Sequence, residues 1–209
     1  MHEIWELLKV LADPKSIILI GWSGLIYLVV FAETGLLVGF FLPGDSLLFS
    51  AGLLCSLNQY NIDITWLVVG LCLSAIAGNC VGYLFGEKAG QALFKREDSL
   101  IFKKRYLELT HGFYARHGGK ALVLGRFLPI IRTFAPILAG VIQIGFRRFM
   151  VYNIIGSVAW VFTLTLGGFF LGRLFPHLID YLNSIIIGMI VITIIPVFKA
   201  YRKEKLRKK

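Results

Sequence analysis

Apolar residues run through this chain in long blocks, separated by short stretches rich in glycine, proline or basic residues. Blocks at 16–32, 35–57, 64–85, 121–144, 149–171 and 182–198 hold few charges. Each comes close to the roughly 20 residues that a helix needs to cross about 30 Å of hydrocarbon. Two of them are interrupted. The second carries Pro43-Gly44-Asp45 near its middle, and the fourth carries Arg126, Pro129, Arg132 and Pro136. The others read as plain membrane helices. Glycines 70, 78 and 82 in the third block, with Gly86 directly after it, are suited to close helix–helix approach.

The polar stretches orient these blocks. Segment 58–63 has no Lys or Arg and 172–181 has only Arg173, whereas 87–120, Arg147/Arg148 and 199–209 hold most of the 22 basic residues. The basic segments belong on the cytoplasmic side. Blocks one, three, five and six then cross once each, while two and four must return to the side they entered. Those two are the blocks broken by proline, glycine and charge. The expected fold is therefore an all-α polytopic membrane protein with about four full transmembrane helices and two re-entrant hairpins, at about 35–57 and 121–144.

An internal repeat accompanies this. An offset of 86 maps Phe41-Leu42-Pro43 onto Phe127-Leu128-Pro129 and Gly39 onto Gly125, and also carries Gly70, Gly82 and Gly86 onto Gly156, Gly168 and Gly172. One hairpin and one crossing per unit would invert the second copy, as in many secondary transporters. Residues 1–15, with Ile4, Trp5, Leu7, Leu8 and Leu11, are expected as an interfacial amphipathic helix. Glu3, Glu6 and Asp13 against Lys9 give that stretch the wrong sign for a cleavable signal. Residues 16–198 form one membrane domain and 199–209 a basic cytoplasmic tail.

Composition agrees: 57% of the 209 residues are hydrophobic and only 16% charged, against about 25% charged in soluble domains. The net charge of +10 does not signal nucleic acid, because the basic residues follow apolar blocks instead of interleaving with stacking aromatics. Cys55, Cys72 and Cys80 form no CxxC pair and read as free buried thiols. His111 and His117 lack a metal-ligand set, so neither a metal nor a cofactor is expected. Ser46 and Ser50 have no His/Asp arrangement, and an enzyme reading finds little support.

The candidate chemistry lies in and beside the broken blocks. A charge near the bilayer centre costs about 2.5–3.5 kcal/mol on insertion scales, so ionisable residues there mark function by default. Glu33, Asp45, Arg126 and Arg132 are the four. The two arginines could offer planar guanidinium forks to one phosphate group, and Glu33 and Asp45 could exchange a proton during transport. Pro43, Gly44, Pro129 and Pro136 are the expected hairpin breaks. The plainer reading has Asp45 capping a helix at Ser46, the arginines snorkelling to the interface and Glu33 in the outer headgroups.

Glu33-Thr-Gly-Leu-Leu, Phe41-Leu-Pro-Gly-Asp45-Ser-Leu-Leu-Phe and Ala51-Gly52 resemble the first signature of the bacterial DedA family, also called the SNARE-associated or VTT-domain family. His117-Gly-Gly-Lys, Gly125-Arg-Phe-Leu-Pro129, Arg132-Thr-Phe-Ala-Pro136 and Ala139-Gly140 resemble its second, and the chain looks closest to the DedA subgroup. The resemblance implies a bacterial inner-membrane, multi-pass protein with facing re-entrant hairpins and a cytoplasmic C-terminus. It implies a translocase of undecaprenyl phosphate or of phospholipids such as phosphatidylethanolamine, with Glu33, Asp45, Arg126 and Arg132 as its functional residues. The expected partners are an anionic lipid and protons as the coupling ion, with homo-oligomers left open. A phospholipid flippase or scramblase and a proton-coupled antiporter for small cations or drugs are the alternatives.

Overall fold

The computed structural model describes residues 24–36, 44–57, 63–93, 120–127, 129–179, 181, 184, 185 and 188. The expected interfacial helix, Pro43, most of the basic 87–120 segment, nearly all of the sixth block and the tail lie outside these. The described residues are all-helical: α1 (Leu25–Gly35), α2 (Gly44–Cys55), α3 (Ile64–Leu93), α4 (Lys120–Gly125), α5 (Pro129–Val141) and α6 (Phe146–Leu174), followed by a 3-10 turn, Pro176–Ile179.

Two helices, Ile64–Ala89 of α3 and the whole of α6, are long and apolar enough to cross a membrane. α3 runs to Leu93, eight residues beyond the expected end at Phe85. Glu87, Lys88 and Ala89 are good helix formers, so the apolar stretch ends before the helix does. Both long helices carry large apolar side chains on their outer faces as well as their inner ones. Trp66, Leu73 and Phe85 of α3 and Ile155, Phe162 and Phe170 of α6 are exposed. A helix apolar all round suits lipid and not water.

The chain divides into two compact units, each built from several segments. Unit 1 comprises 1–26, 43–68 and 162–209, and unit 2 comprises 27–42 and 69–161. In unit 1, α2 packs on the end of α6. A Cβ on Gly52 would overlap the Thr165 carbonyl, and one on Gly168 would overlap the Phe49 carbonyl. In unit 2, α5 packs on α3 in the same way, with Gly140 against the Tyr83 carbonyl and Gly86 against that of Ile137. Both contacts pair a glycine with a carbonyl three residues before the facing glycine.

The repeat is therefore visible in packing, with a register different from the one expected. Gly52 corresponds to Gly140, 88 residues on (140 − 52), and Gly86 to Gly168, 82 residues on (168 − 86). The offset of 86 had joined Gly86 to Gly172, which instead meets Ser56 and Leu53. The glycines singled out in α3 are packing residues: Gly70 lies against Tyr27 and Gly78 against Thr34 and the Phe31 carbonyl.

Tyr83, Leu122, Ala135, Ala139 and Phe149 form a core cluster in unit 2. Tyr83 stacks on Phe149 with centroids 4.5 Å apart and donates its hydroxyl to the Ile144 carbonyl. The turn from α5 to α6 is a Schellman closure. Ile144 N–H bonds to Ala139 and Gln143 N–H to Gly140, both at 3.0 Å. Gln143 takes the left-handed position, φ 55°, that glycine most often fills.

Candidate functional site

α1, α5, α6 and the turn after α4 place three of the four expected ionisable residues inside unit 2. Glu33 lies in the last turn of α1 and is 1% exposed. Arg132 lies in the first turn of α5, and Arg126 follows the end of α4; each is 4% exposed. All three are buried, and burial of this degree requires partners.

Glu33 and Arg132 supply each other. The Arg132 Nη2 donates to Glu33 Oε1 in a buried ion pair. The ring of Trp160, itself 1% exposed, lies 4.4 Å from the Arg132 guanidinium carbon. A guanidinium over an indole face gains up to about 2 kcal/mol when desolvated. Arg132 is thus held by a carboxylate and by a π face.

Arg126 is held differently. Its Nη1 donates to Ser157 Oγ and its Nη2 to Asn153 Oδ1. The Ser157 hydroxyl also faces Asn153 Oδ1, at 3.5 Å. Asn153 Nδ2 donates in turn to the Ile76 carbonyl at 3.2 Å and faces Cys80 Sγ at 3.5 Å. Gly156 gives the arginine its room, since a Cβ there would come within 3.0 Å of Arg126 Cδ. Arg126 and Arg132 also lie within electrostatic reach of each other.

Asn153, Gly156, Ser157 and Trp160 occupy positions i, i+3, i+4 and i+7 of α6, one face of the helix. From hydropathy alone this block is a plain span, and of these four only Gly156 stands out, as the repeat partner of Gly70. Their spacing was the available signal: two neutral polar residues, a glycine and a tryptophan on a single stripe of an apolar helix. Asn79 is a further buried polar residue of unit 2. Its Nδ2 donates to Ala75 at 2.7 Å, and its Oδ1 finds no partner among the described residues.

Asp45 belongs to unit 1, in the first turn of α2, where negative charge complements the helix dipole. Gly44 begins α2 and Pro129 begins α5, so both sit at helix starts. A first-turn proline gives up only an N–H that has no intrahelical acceptor. Pro136 does not mark a break, because α5 continues through it. Its cost is the bond that an N–H there would have donated to the Arg132 carbonyl, together with the crowding of its ring against that carbonyl. Among the described residues no group of three His, Cys, Asp or Glu side chains could hold a metal.

Residues 42–170 match the family model described as the VTT domain. Protein DedA of Escherichia coli (strain K12) is 45% identical over 172 residues, covering 82% of this chain and 78% of that one. An uncharacterized membrane protein of Mycobacterium tuberculosis (strain ATCC 25618 / H37Rv) is 41% identical over 82% of this chain and 74% of its own. Inner membrane protein YqjA of Escherichia coli (strain K12) is 29% identical over 90% of this chain and 83% of its own. No solved structure matches. With a domain match over more than half its length, these relatives and two helices fit for hydrocarbon, the chain is a membrane protein of the VTT-domain, or DedA, family.

Proposed function

We propose that this protein is a lipid-phosphate translocase of the inner membrane, with undecaprenyl phosphate as the favoured cargo and proton exchange at Glu33 and Asp45 as its coupling. The observation that carries this reading is the buried cluster of Arg126, Arg132 and Glu33. Two guanidinium groups against one carboxylate make an oxyanion the natural ligand, and a carboxylate able to leave its arginine on protonation supplies the coupling. The protein is read as a non-enzyme with no cofactor.

The topology that suits this function has four full spans, two re-entrant hairpins and a cytoplasmic C-terminus. α2 and α5, with 12 and 13 residues, reach only about 18–20 Å at 1.5 Å per residue, short of a full crossing. α3 and α6, with 30 and 29 residues, reach about 45 Å. Exposed Arg147 and Arg148 at the start of α6 favour a cytoplasmic end there.

The test is translocation of undecaprenyl phosphate by purified protein in lipid vesicles, for wild type, Arg126→Ala, Arg132→Ala and the charge-keeping Arg126→Lys and Arg132→Lys. Lysine keeps the charge but loses the planar fork, so folded lysine variants with impaired transport support the phosphate site. Scrambling of phosphatidylethanolamine in place of undecaprenyl phosphate transport would move the assignment to a phospholipid flippase. Cation-driven proton flux with neither lipid activity would move it to an antiporter, and phosphate release to an enzyme.

A further inference from the structure

The two buried arginines of unit 2 are balanced in different ways. Arg132 faces the Glu33 carboxylate, and together they carry no net charge. Arg126 faces an amide oxygen and a hydroxyl, and among the described residues no carboxylate bonds to it. A single-atom change, Asn153 to Asp, would have neutralised Arg126. The chain instead keeps asparagine, at the expense of burying a cation among neutral groups.

The amide is fixed from both sides. Oδ1 accepts from Arg126, and Nδ2 donates to the Ile76 carbonyl. Asparagine presents an acceptor one way and a donor the other; an ionised aspartate would turn its second oxygen toward that carbonyl. Ser157 repeats the choice, since its hydroxyl accepts from Arg126 and adds no charge. Neutral partners orient a guanidinium well, and they yield to an anion more readily than a carboxylate does, because a charged acceptor binds about twice as strongly.

We infer that Asn153 is a specificity-determining residue: as a neutral acceptor it holds Arg126 in place without cancelling its charge, so that the Arg126 cation takes the oxyanion of the cargo. The inference rests on the lipid-phosphate reading and assigns the arginines separate tasks. Arg126 meets the ligand's phosphate, and Arg132 is charge-balanced by Glu33 until that carboxylate takes a proton.

The test measures binding of undecaprenyl phosphate to the full chain in detergent micelles, beside vesicle translocation, for wild type, Asn153→Asp, Asn153→Ala and Ser157→Asp. Asn153→Asp sets an anion against Arg126 and should bind at least about a hundredfold more weakly, the scale of one close charge pair at an effective dielectric constant near 20. Asn153→Ala loses a hydrogen bond but keeps the charge balance, so its binding should weaken by less than about tenfold. Ser157→Asp places a carboxylate on the other Nη and should behave as Asn153→Asp does, which keeps the question decidable if the Ile76 carbonyl prevents Asn153→Asp from folding.

Wild-type affinity in a folded aspartate variant would overturn the inference. So would an alanine variant as impaired as the aspartate ones, which would make Asn153 a packing residue, and so would a wild type that binds no phosphate. If wild type binds and Asn153→Asp does not, yet wild type moves no lipid, the translocase reading fails and this one stands. If both proteins move the lipid equally, the translocase reading stands and this one fails.

Discussion

Removing one partner of the Glu33–Arg132 pair should cost far more than removing both. The two side chains are 2% and 4% exposed, so neither charge has water to fall back on. Glu33→Leu leaves a buried guanidinium without its carboxylate, and Arg132→Met leaves a buried carboxylate; losses of about 3–5 kcal/mol are typical of each such case. Arg132→Met also gives up the Trp160 face 4.4 Å away, adding up to about 2 kcal/mol. The double variant buries no unpaired charge, and replacing a buried pair by apolar side chains of similar volume is often neutral or better. It should lie within about 2 kcal/mol of wild type, the remainder being the lost Trp160 contact. For a chain of this size each kcal/mol moves the melting midpoint by about 2–4 °C, so Glu33→Leu should melt roughly 6–20 °C lower and Arg132→Met at least as far down. A thermal-denaturation series in detergent, read by a thiol-independent probe and repeated against a denaturant, measures all four corners. Single losses that simply add in the double variant, within about 0.5 kcal/mol, would refute the coupling and with it the reading of a buried ion pair.

Gly86→Ala and Gly140→Ala should each destabilise by about 1–3 kcal/mol, since each new methyl would run into a facing backbone carbonyl. Gly167→Ala, with nothing within 4 Å of its added Cβ, should gain up to about 1 kcal/mol from helix propensity; the unfolding midpoints of the three variants check the contrast. Gln143→Gly should stabilise by about 1 kcal/mol, because glycine takes φ 55° without the steric cost of a Cβ. A lower midpoint would mean that the Gln143 side chain matters more than its backbone. Asp63, outside the spans, accepts the Thr65 N–H at 2.7 Å, and that bond holds its carboxyl below the usual range. A lowered folded value means that the cap is intact above about pH 4 and is lost as pH falls through the folded value. Hydrogen exchange of the Thr65 amide should therefore speed up on acidification, and pH-independent protection would refute the cap.

The charged residues of the site were legible because an Arg or Glu inside an apolar run is costly and stands out. Their company was not. Asn153 and Ser157 are neutral, and a tryptophan in a membrane helix has ordinary reasons to be there, so only the periodicity of 153, 156, 157 and 160 distinguishes them. Glu33 looked like the end of a span because hydropathy falls there, yet α1 continues past it to Gly35. Hydropathy reports what hydrocarbon tolerates; helix ends answer to hydrogen bonding and propensity. That is why α3 outruns its apolar block and α5 continues across Pro136. The repeat was legible through Phe-Leu-Pro, but register is set by which glycine meets which carbonyl. The differing offsets of 88 and 82 between corresponding glycines cannot be read from one motif.

Trp160 gives the cluster its own optical signal. Indole emission responds to a nearby charge and to the polarity around the ring, and this indole lies buried against the guanidinium that Glu33 neutralises. Three other tryptophans, Trp5, Trp22 and Trp66, share the spectrum, and replacing them by phenylalanine would leave a single emitter beside the ion pair. Its spectral position would then follow the Glu33–Arg132 contact in real time during turnover in a vesicle, with no label attached.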